Sequence, residues 1–482
     1  MSQSKAPPRS ARNLIDGGIL ITAVVLAIAL ARPYAGSWND ASRLATVECL
    51  VDHQTLAIDD SLFLQVPHPD DMASPYPSSE PLLRQKGTAD KLLIQGRFYS
   101  DKSPVPALLL ACVYQFLQWL TGLTARDAPA LFCYLMTVAS SGLAYIVTVR
   151  GVHHMGGILG LPSASRLTLT ASLGLATVAL PYAEHVNNHI LLLGVSTLLM
   201  LSLIRLNQER DAGRRLWRWV AAVGTLAGLG YTIDLGAGPV ILLCSAAWLA
   251  CRCRQWRPIA LFGLTALPWL TLHHSLNYAV GGTFGPANAV AEYFQWPGCT
   301  FNAQNMTGSW KHHGIGSFLL YAGGLLAGKR GFLGHNLPLF LLVPGLWRLL
   351  GRRSPERPEI LFAVCCWGGV WLMYAINSNN SSGQCLTIRW FVPLLAPSYF
   401  LLALLLRDRP SCLVDFAILS GWGILLILLG SWNGPWIKHM IPLFWPVQAA
   451  ALASWAGYRF WQERQRRLHR STAPGHVQSR AA

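Results

Sequence analysis

The chain has 482 residues, 52% of them hydrophobic and 12% charged, with 43 Gly, 29 Pro and 19 Trp; its mean hydropathy is +0.35. A soluble protein carries about a quarter charged residues, so the composition argues against a soluble multidomain enzyme, a disordered chain or a disulfide-stapled one. The formal charge of +16 lies mostly in Arg clusters between apolar stretches, a placement that orients membrane helices and argues against nucleic-acid binding.

At the N-terminus, Lys5, Arg9 and Arg12 precede an apolar run from Ile19 to Leu30. The pattern resembles a signal peptide, but with many spans to follow it reads as an uncleaved first helix. Further spans are predicted near 128–149, 167–183, 189–205, 217–233, 235–251, 258–275, 336–350, 359–376, 390–406, 412–431 and 441–458, with the first at 17–34. A thirteenth apolar segment, 103–122, is predicted to lie along the membrane surface. If it crossed, the Arg clusters after residues 205, 251 and 350 would fall outside. With it on the surface, those clusters, the N-terminus and the tail after Trp461 all face the cytoplasm.

The expectation is therefore an all-α polytopic membrane protein with about 12 spans and both termini cytoplasmic. Its parts read as an N-terminal tail and first helix (1–35), an outer loop with juxtamembrane helices (36–127), a transmembrane module with a second outer loop (128–275), a long outer loop (276–335), a second transmembrane module (336–460) and a basic tail (461–482). The loop 35–103 holds 10 of the 22 acidic residues. Polar chemistry thus gathers at one interface, unlike the midplane sites of transporters.

Four constellations stand out on that side. Leu44, Val47, Leu50 and Val51 form an apolar stripe at helical spacing, which predicts an interfacial helix with Asp40 and Arg43 near its start. An acid beside an Arg stays ionised and suits a base, although an Asp in that position is also a common N-cap. In Gly96–Pro104, Ser103 as N-cap and Pro104 as first residue begin the 103–122 helix, which sets Lys102 beside an anion-favouring N-terminus. Tyr182, Glu184, Asn187, Asn188 and His189 form a polar turn whose amide and imidazole groups suit sugar hydroxyls or phosphate, or need no function at all. Arg389 enters a span from outside among aromatics, as snorkelling Arg residues also do.

No CxxC pair or Cys/His spacing supports zinc, and the adjacent pairs His273-His274 and His312-His313 lack helical ligand spacing, so no metal or other cofactor is expected. Cys299 and Cys385, in outer loops, read as unrelated thiols. Sequon triplets begin at Asn305, Asn379 and Asn380, matches that arise easily by chance.

An acid three residues before an Arg, followed some 55 residues later by Tyr-x-acid-Lys-x-Pro, resembles the GT-C glycosyltransferases. Within them it is most similar to bacterial lipid A aminoarabinose transferases and protein O-mannosyltransferases, chiefly over residues 36–205. The resemblance implies transfer of a sugar from a polyprenyl-phosphate donor to a lipid, glycan or protein hydroxyl at the outer face, with inversion. It makes Asp40 the general base, gives Arg43 and Lys102 the donor phosphate, and has Tyr99 and Asp101 shape the pocket. Glu184, Asn188, His189 and Arg389 complete the candidate substrate-binding set. Relatives carry an acid in the second outer loop where this chain has Asn187, Asn188 and His189, with Glu184 a few residues earlier. Two other readings stand beside this one: a lipid-linked-sugar flippase or transporter, which should tolerate Asp40→Asn, and a non-catalytic scaffold of the cell envelope.

Overall fold

A long helix that is apolar on most faces must meet lipid or other helices, and the chain is built almost wholly from such helices. The computed structural model describes residues 9–64, 74–302, 306, 308, 310–432 and 434–471. Lys5, Asn305 and the tail beyond Ser471 lie outside the described residues.

Helix α1 (Arg9–Leu30) leads into a unit made of α2 (Trp38–Asp52), α3 (Pro81–Lys86), a hairpin of β1 (Lys91–Ile94) and β2 (Arg97–Ser100), and α4 (Pro104–Thr121). The bundle follows with α5 (Pro129–Thr137) and α6 (Leu143–Ile158), joined through a π turn, then α7 (Ser163–Leu175), α8 (Ala179–Tyr182), α9 (Asn188–Asp211), α10 (Trp217–Ile233), α11 (Ala237–Cys253) and α12 (Trp256–Gly281). It is completed by α13 (Ile315–Ala327), α14 (Leu342–Gly351), α15 (Arg357–Asn377), α16 (Leu395–Asp408), α17 (Leu413–Ser431) and α18 (Phe444–Ser471).

Among the described residues, seven helical stretches are long and apolar enough to cross a membrane: α4, α5–α6, α9, α12, α15, the stretch Arg389–Asp408 that ends in α16, and Pro410–Ser431 ending in α17. Shorter apolar helices occur at Gly17–Leu30, Ala237–Cys253, Ile315–Ala327 and Leu337–Gly351. The fold is thus a polytopic, helical one. Helix α16 is its axis: every residue from Leu395 to Leu406 is buried, as befits a helix apolar on all faces.

Several local expectations change. The hairpin departs from an all-α chain; Gln95 and Gly96 both take positive φ, 51° and 81°, the geometry of a two-residue turn whose twist matches paired strands. The 276–335 loop contains α13, 13 residues long and so about 20 Å, short of a membrane crossing. The 167–183 segment breaks into α7 and α8, and α18 continues past Trp461 to Ser471. Helix α4 packs along α2 and also meets α12 and α10, while Leu109, Val113, Phe116 and Leu120 stay exposed along one of its faces.

The Arg clusters meet at one end of the bundle. There Arg252 pairs with Asp211, Arg352 with Asp408 and Arg407 with Glu356. The unit built on α2 sits at the other end, against the α8–α9 and α10–α11 junctions, and that end carries the candidate site.

Candidate active site

Helix α2 begins at Ser37, whose hydroxyl accepts from the Asn39 N–H at 3.1 Å and the Asp40 N–H at 3.5 Å. Ser37, not Asp40, is therefore the N-cap. Asp40 stands at the third helical position and reaches back, as in a capping box: Oδ2 accepts the Gly36 N–H at 2.7 Å and Oδ1 accepts the Ser37 hydroxyl. A third partner is unanticipated: His185 Nδ1 lies 3.2 Å from Asp40 Oδ2, with both side chains buried. The imidazole rests between the Tyr34 and Trp436 rings. Glycine at position 36 makes room for the imidazole, because a Cβ there would stand 2.6 Å from His185 Cε1 and 2.9 Å from Trp436 Cδ1 and would force them to shift.

Arg43 lies one turn further on, and among the described residues no ion pair joins it to Asp40. It is buried, and its Nε and Nη1 have no hydrogen-bond partner. Burial lowers its pKa to about 10; the Asp101 charge opposes that shift, and the Arg389 charge adds to it. Arg389, half-buried, stacks its guanidinium over the Trp436 ring at 5.5 Å and leaves its own Nε unpartnered. Two guanidinium groups close enough to repel each other, both with unused donors, make a site for an anion.

Lys102 is not free beside the N-terminus of α4. Its Nζ lies 2.7 Å from Asp90 Oδ2 and 2.7 Å from Asp101 Oδ2. Ser103 and Pro104 begin α4 as expected, but the Ser103 hydroxyl meets His273 Nδ1 at 3.2 Å in place of a helix N–H. Burial raises the Asp101 pKa, with Lys102 pulling the other way. The Ser42 hydroxyl ties α2 to this segment by donating to the Asp90 carbonyl at 2.5 Å, with Ser100 Oγ 2.6 Å away. Tyr99, on β2 opposite Leu92, lines a small pocket with Lys102, His273 and Asn288.

Asn188 and His189 converge on Asp234, a residue absent from the candidate set. Asn188 Nδ2 donates to Asp234 Oδ2 at 2.8 Å, and His189 Nδ1 stands 2.9 Å from the same oxygen. Oδ1 takes the N–H groups of Gly236 and Ala237, each at 2.9 Å, and the Tyr374 hydroxyl at 3.3 Å. Burial would raise the Asp234 pKa, but His189 and the two backbone donors outweigh it and hold the carboxyl well below the usual range. The signal for it in the sequence is a lone acid between two spans on the polar side of the membrane.

Glu184 has a different setting. It is fully buried and paired with Arg32 at 2.6 Å, and Arg32 also donates to the Ser431 carbonyl at 3.1 Å. Burial raises the Glu184 pKa, against Arg32. This pair fastens the exit of α1 to the α8–α9 turn and the end of α17. A cavity of about 400 Å³ opens beside the start of α2, bordered by Gly36, Ser37, Asn39, Asp90, Arg389 and Trp436. Among the described residues no group of three His, Cys, Asp or Glu side chains is placed to hold a metal ion. Cys299 and Cys385 are free thiols.

No protein-family model matches the chain, and no curated protein does. Among solved structures it is similar to ArnT, the lipid A aminoarabinose transferase, from Cupriavidus metallidurans. To the apo state the identity is 16% and the TM-score 0.49, over 87% of this chain and 64% of that one. To the form bound to undecaprenyl phosphate the values are 13% and 0.48, over 92% and 73%. It is also similar to the apo oligosaccharyltransferase of Archaeoglobus fulgidus, at 13% identity and a TM-score of 0.46, over 88% of this chain and 56% of that one. Both are GT-C fold members, the group that the Asp40–Arg43 and Tyr99–Lys102 pattern resembles. The chain spans less than two thirds of the length of the apo ArnT chain.

Proposed function

We propose that the chain is a membrane glycosyltransferase that moves a sugar from a polyprenyl-phosphate donor to an acceptor hydroxyl with inversion. The observation that carries this reading is the pair Arg43 and Arg389, which repel each other and keep buried, unpartnered N–H groups, with Arg389 bordering the cavity. Desolvated donors without partners are costly. A phosphate monoanion or diester would satisfy both guanidiniums and offset their mutual repulsion. Lys102, held by Asp90 and Asp101, supplies a third positive charge nearby.

In the reaction the acceptor oxygen forms a bond to the anomeric carbon as the bond from that carbon to the phosphate oxygen breaks. The hydroxyl proton passes to the Asp40 carboxylate, and the negative charge that grows on the departing phosphate is stabilised by Arg43 and Arg389. His185 positions Asp40 from behind. Tyr99 and Asp101 shape the wall around Lys102, while Asn188 and His189, fixed by Asp234, border the Arg43 side. Asp234 thereby provides a second acid beside Asn188 and His189, while Glu184 of the α8–α9 turn is taken up by Arg32. The acceptor is a lipid, glycan or protein hydroxyl.

The gathering of Arg clusters at the opposite end of the bundle supports an orientation with that end in the cytoplasm and the site at the outer face of a bacterial inner membrane. Helix α4 would then lie at the membrane surface with its apolar stripe toward lipid.

The test is Asp40→Asn. Transfer from a polyprenyl-phosphate sugar is expected to fall by about 10²- to 10⁴-fold, the range for loss of a general base, with donor binding kept. Near-normal product from this variant would overturn the mechanism and favour a flippase or scaffold.

A further inference from the structure

Far from the candidate site, the bundle carries a second cavity of a different kind. Helix α11 starts beside Asp234 and runs for 17 residues, about 25 Å, to the end where the Arg clusters meet. There a groove of about 910 Å³ opens between α11 and α15. Its walls are apolar, formed by Leu243, Trp248, Leu361 and Phe362, and Leu243 and Leu361 are exposed to whatever surrounds the bundle. Its rim is cationic, with Arg210, Arg252 and Arg357.

Three features point to an anionic headgroup above an acyl chain. Asp211, the acid at the rim, is already engaged by Arg210 at 3.3 Å and Arg252 at 3.4 Å, while Arg357 makes no ion pair among the described residues; the rim keeps a net positive charge. The N-terminus of the 21-residue α15 lies at the same rim, so the positive end of its helix dipole adds to the field of the Arg side chains. Trp248 is only 6% exposed, lines the groove, and leaves its indole N–H without a hydrogen-bond partner, a donor that a buried Trp normally satisfies.

We infer that this groove holds a two-chain anionic glycerophospholipid, its phosphate among Arg252, Arg357 and the start of α15, and an acyl chain along Leu243, Leu361 and Phe362. The site is independent of the transferase reading, because neither its residues nor its position belong to the cavity bordered by Arg389.

Delipidated full-length protein, incubated with equimolar phosphatidylglycerol or phosphatidylcholine, is followed by native mass spectrometry. Phosphatidylglycerol is expected to stay bound at collision energies that strip phosphatidylcholine. Arg357→Gln, at an exposed position without an ion pair, should weaken phosphatidylglycerol by about fivefold, the worth of one basic contact to an anionic lipid. Arg252→Gln with Arg357→Gln should erase the preference, with gel filtration confirming a monodisperse protein. Equal retention of the two lipids, a preference untouched by Arg357→Gln, or displacement of phosphatidylglycerol by undecaprenyl phosphate at this site would overturn the assignment.

Discussion

His185 Nδ1 stands 3.2 Å from the Asp40 carboxylate, across the junction between the first outer segment and the α8–α9 turn. The same carboxylate takes the Gly36 N–H and the Ser37 hydroxyl, so its orientation is fixed from three sides. His185→Ala is expected to lower kcat for transfer by about tenfold to a hundredfold, with donor binding intact. Gly36→Ala should give the same phenotype, because its Cβ would displace the imidazole. A His185 variant with an unchanged kcat would make the histidine a packing residue only.

Arg43 carries the cost of an unfilled anion site. Its Nε and Nη1 are buried without partners, a burden of about 1–3 kcal/mol for a polar group and more for a charged one. Arg43→Met is therefore expected to leave the ligand-free protein as heat-stable as the parent or more so, the lost attraction to Asp101 limiting the gain. A polyprenyl-phosphate sugar should raise the Tm of the parent and not that of the variant. A large fall in ligand-free Tm would show that Arg43 is a structural cation.

Glu48 gives the fold a pH dependence of its own. It is buried in α2, takes the Ser61 hydroxyl at 2.6 Å and the Leu62 N–H, and burial pushes its pKa from 4.5 up to about 7. Between those values the unfolded chain has released the proton that the folded chain retains, so stability falls as pH rises through this window and levels off above it. Glu48→Gln, whose amide can keep both hydrogen bonds, should remove that fall, worth roughly 3 kcal/mol at pH 8. Equal losses of Tm between pH 5 and pH 8 in parent and variant would contradict this.

The helical, membrane-spanning fold is legible because long apolar runs dictate their own structure; the start of α2 is less so, since Asp40 reads as a possible N-cap and Ser37 takes that place. Asp40, Arg43 and Lys102 are legible as chemistry because their spacing is local. Their partners are not. His185 and Asp234 lie far from α2 in the chain and reach Asp40 and the surroundings of Arg43 only through tertiary packing. Lys102 reads as free beside a helix terminus until the hairpin folds Asp90 against it. Glu184 reads as a substrate ligand until Arg32, at the exit of α1, is brought to it. The α13 helix escapes a span-length search because it is too short to cross.

The central claim is that the cavity bordered by Arg389, together with the unpartnered Arg43, receives a polyprenyl-phosphate-linked sugar. Native mass spectrometry of the purified chain against a panel of such donors, with Arg43→Ala alongside, tests it most directly. The account predicts that at least one donor binds the parent and that Arg43→Ala loses it while retaining its oligomeric state. Well-folded protein that binds no donor, or a variant that binds as well as the parent, would contradict it.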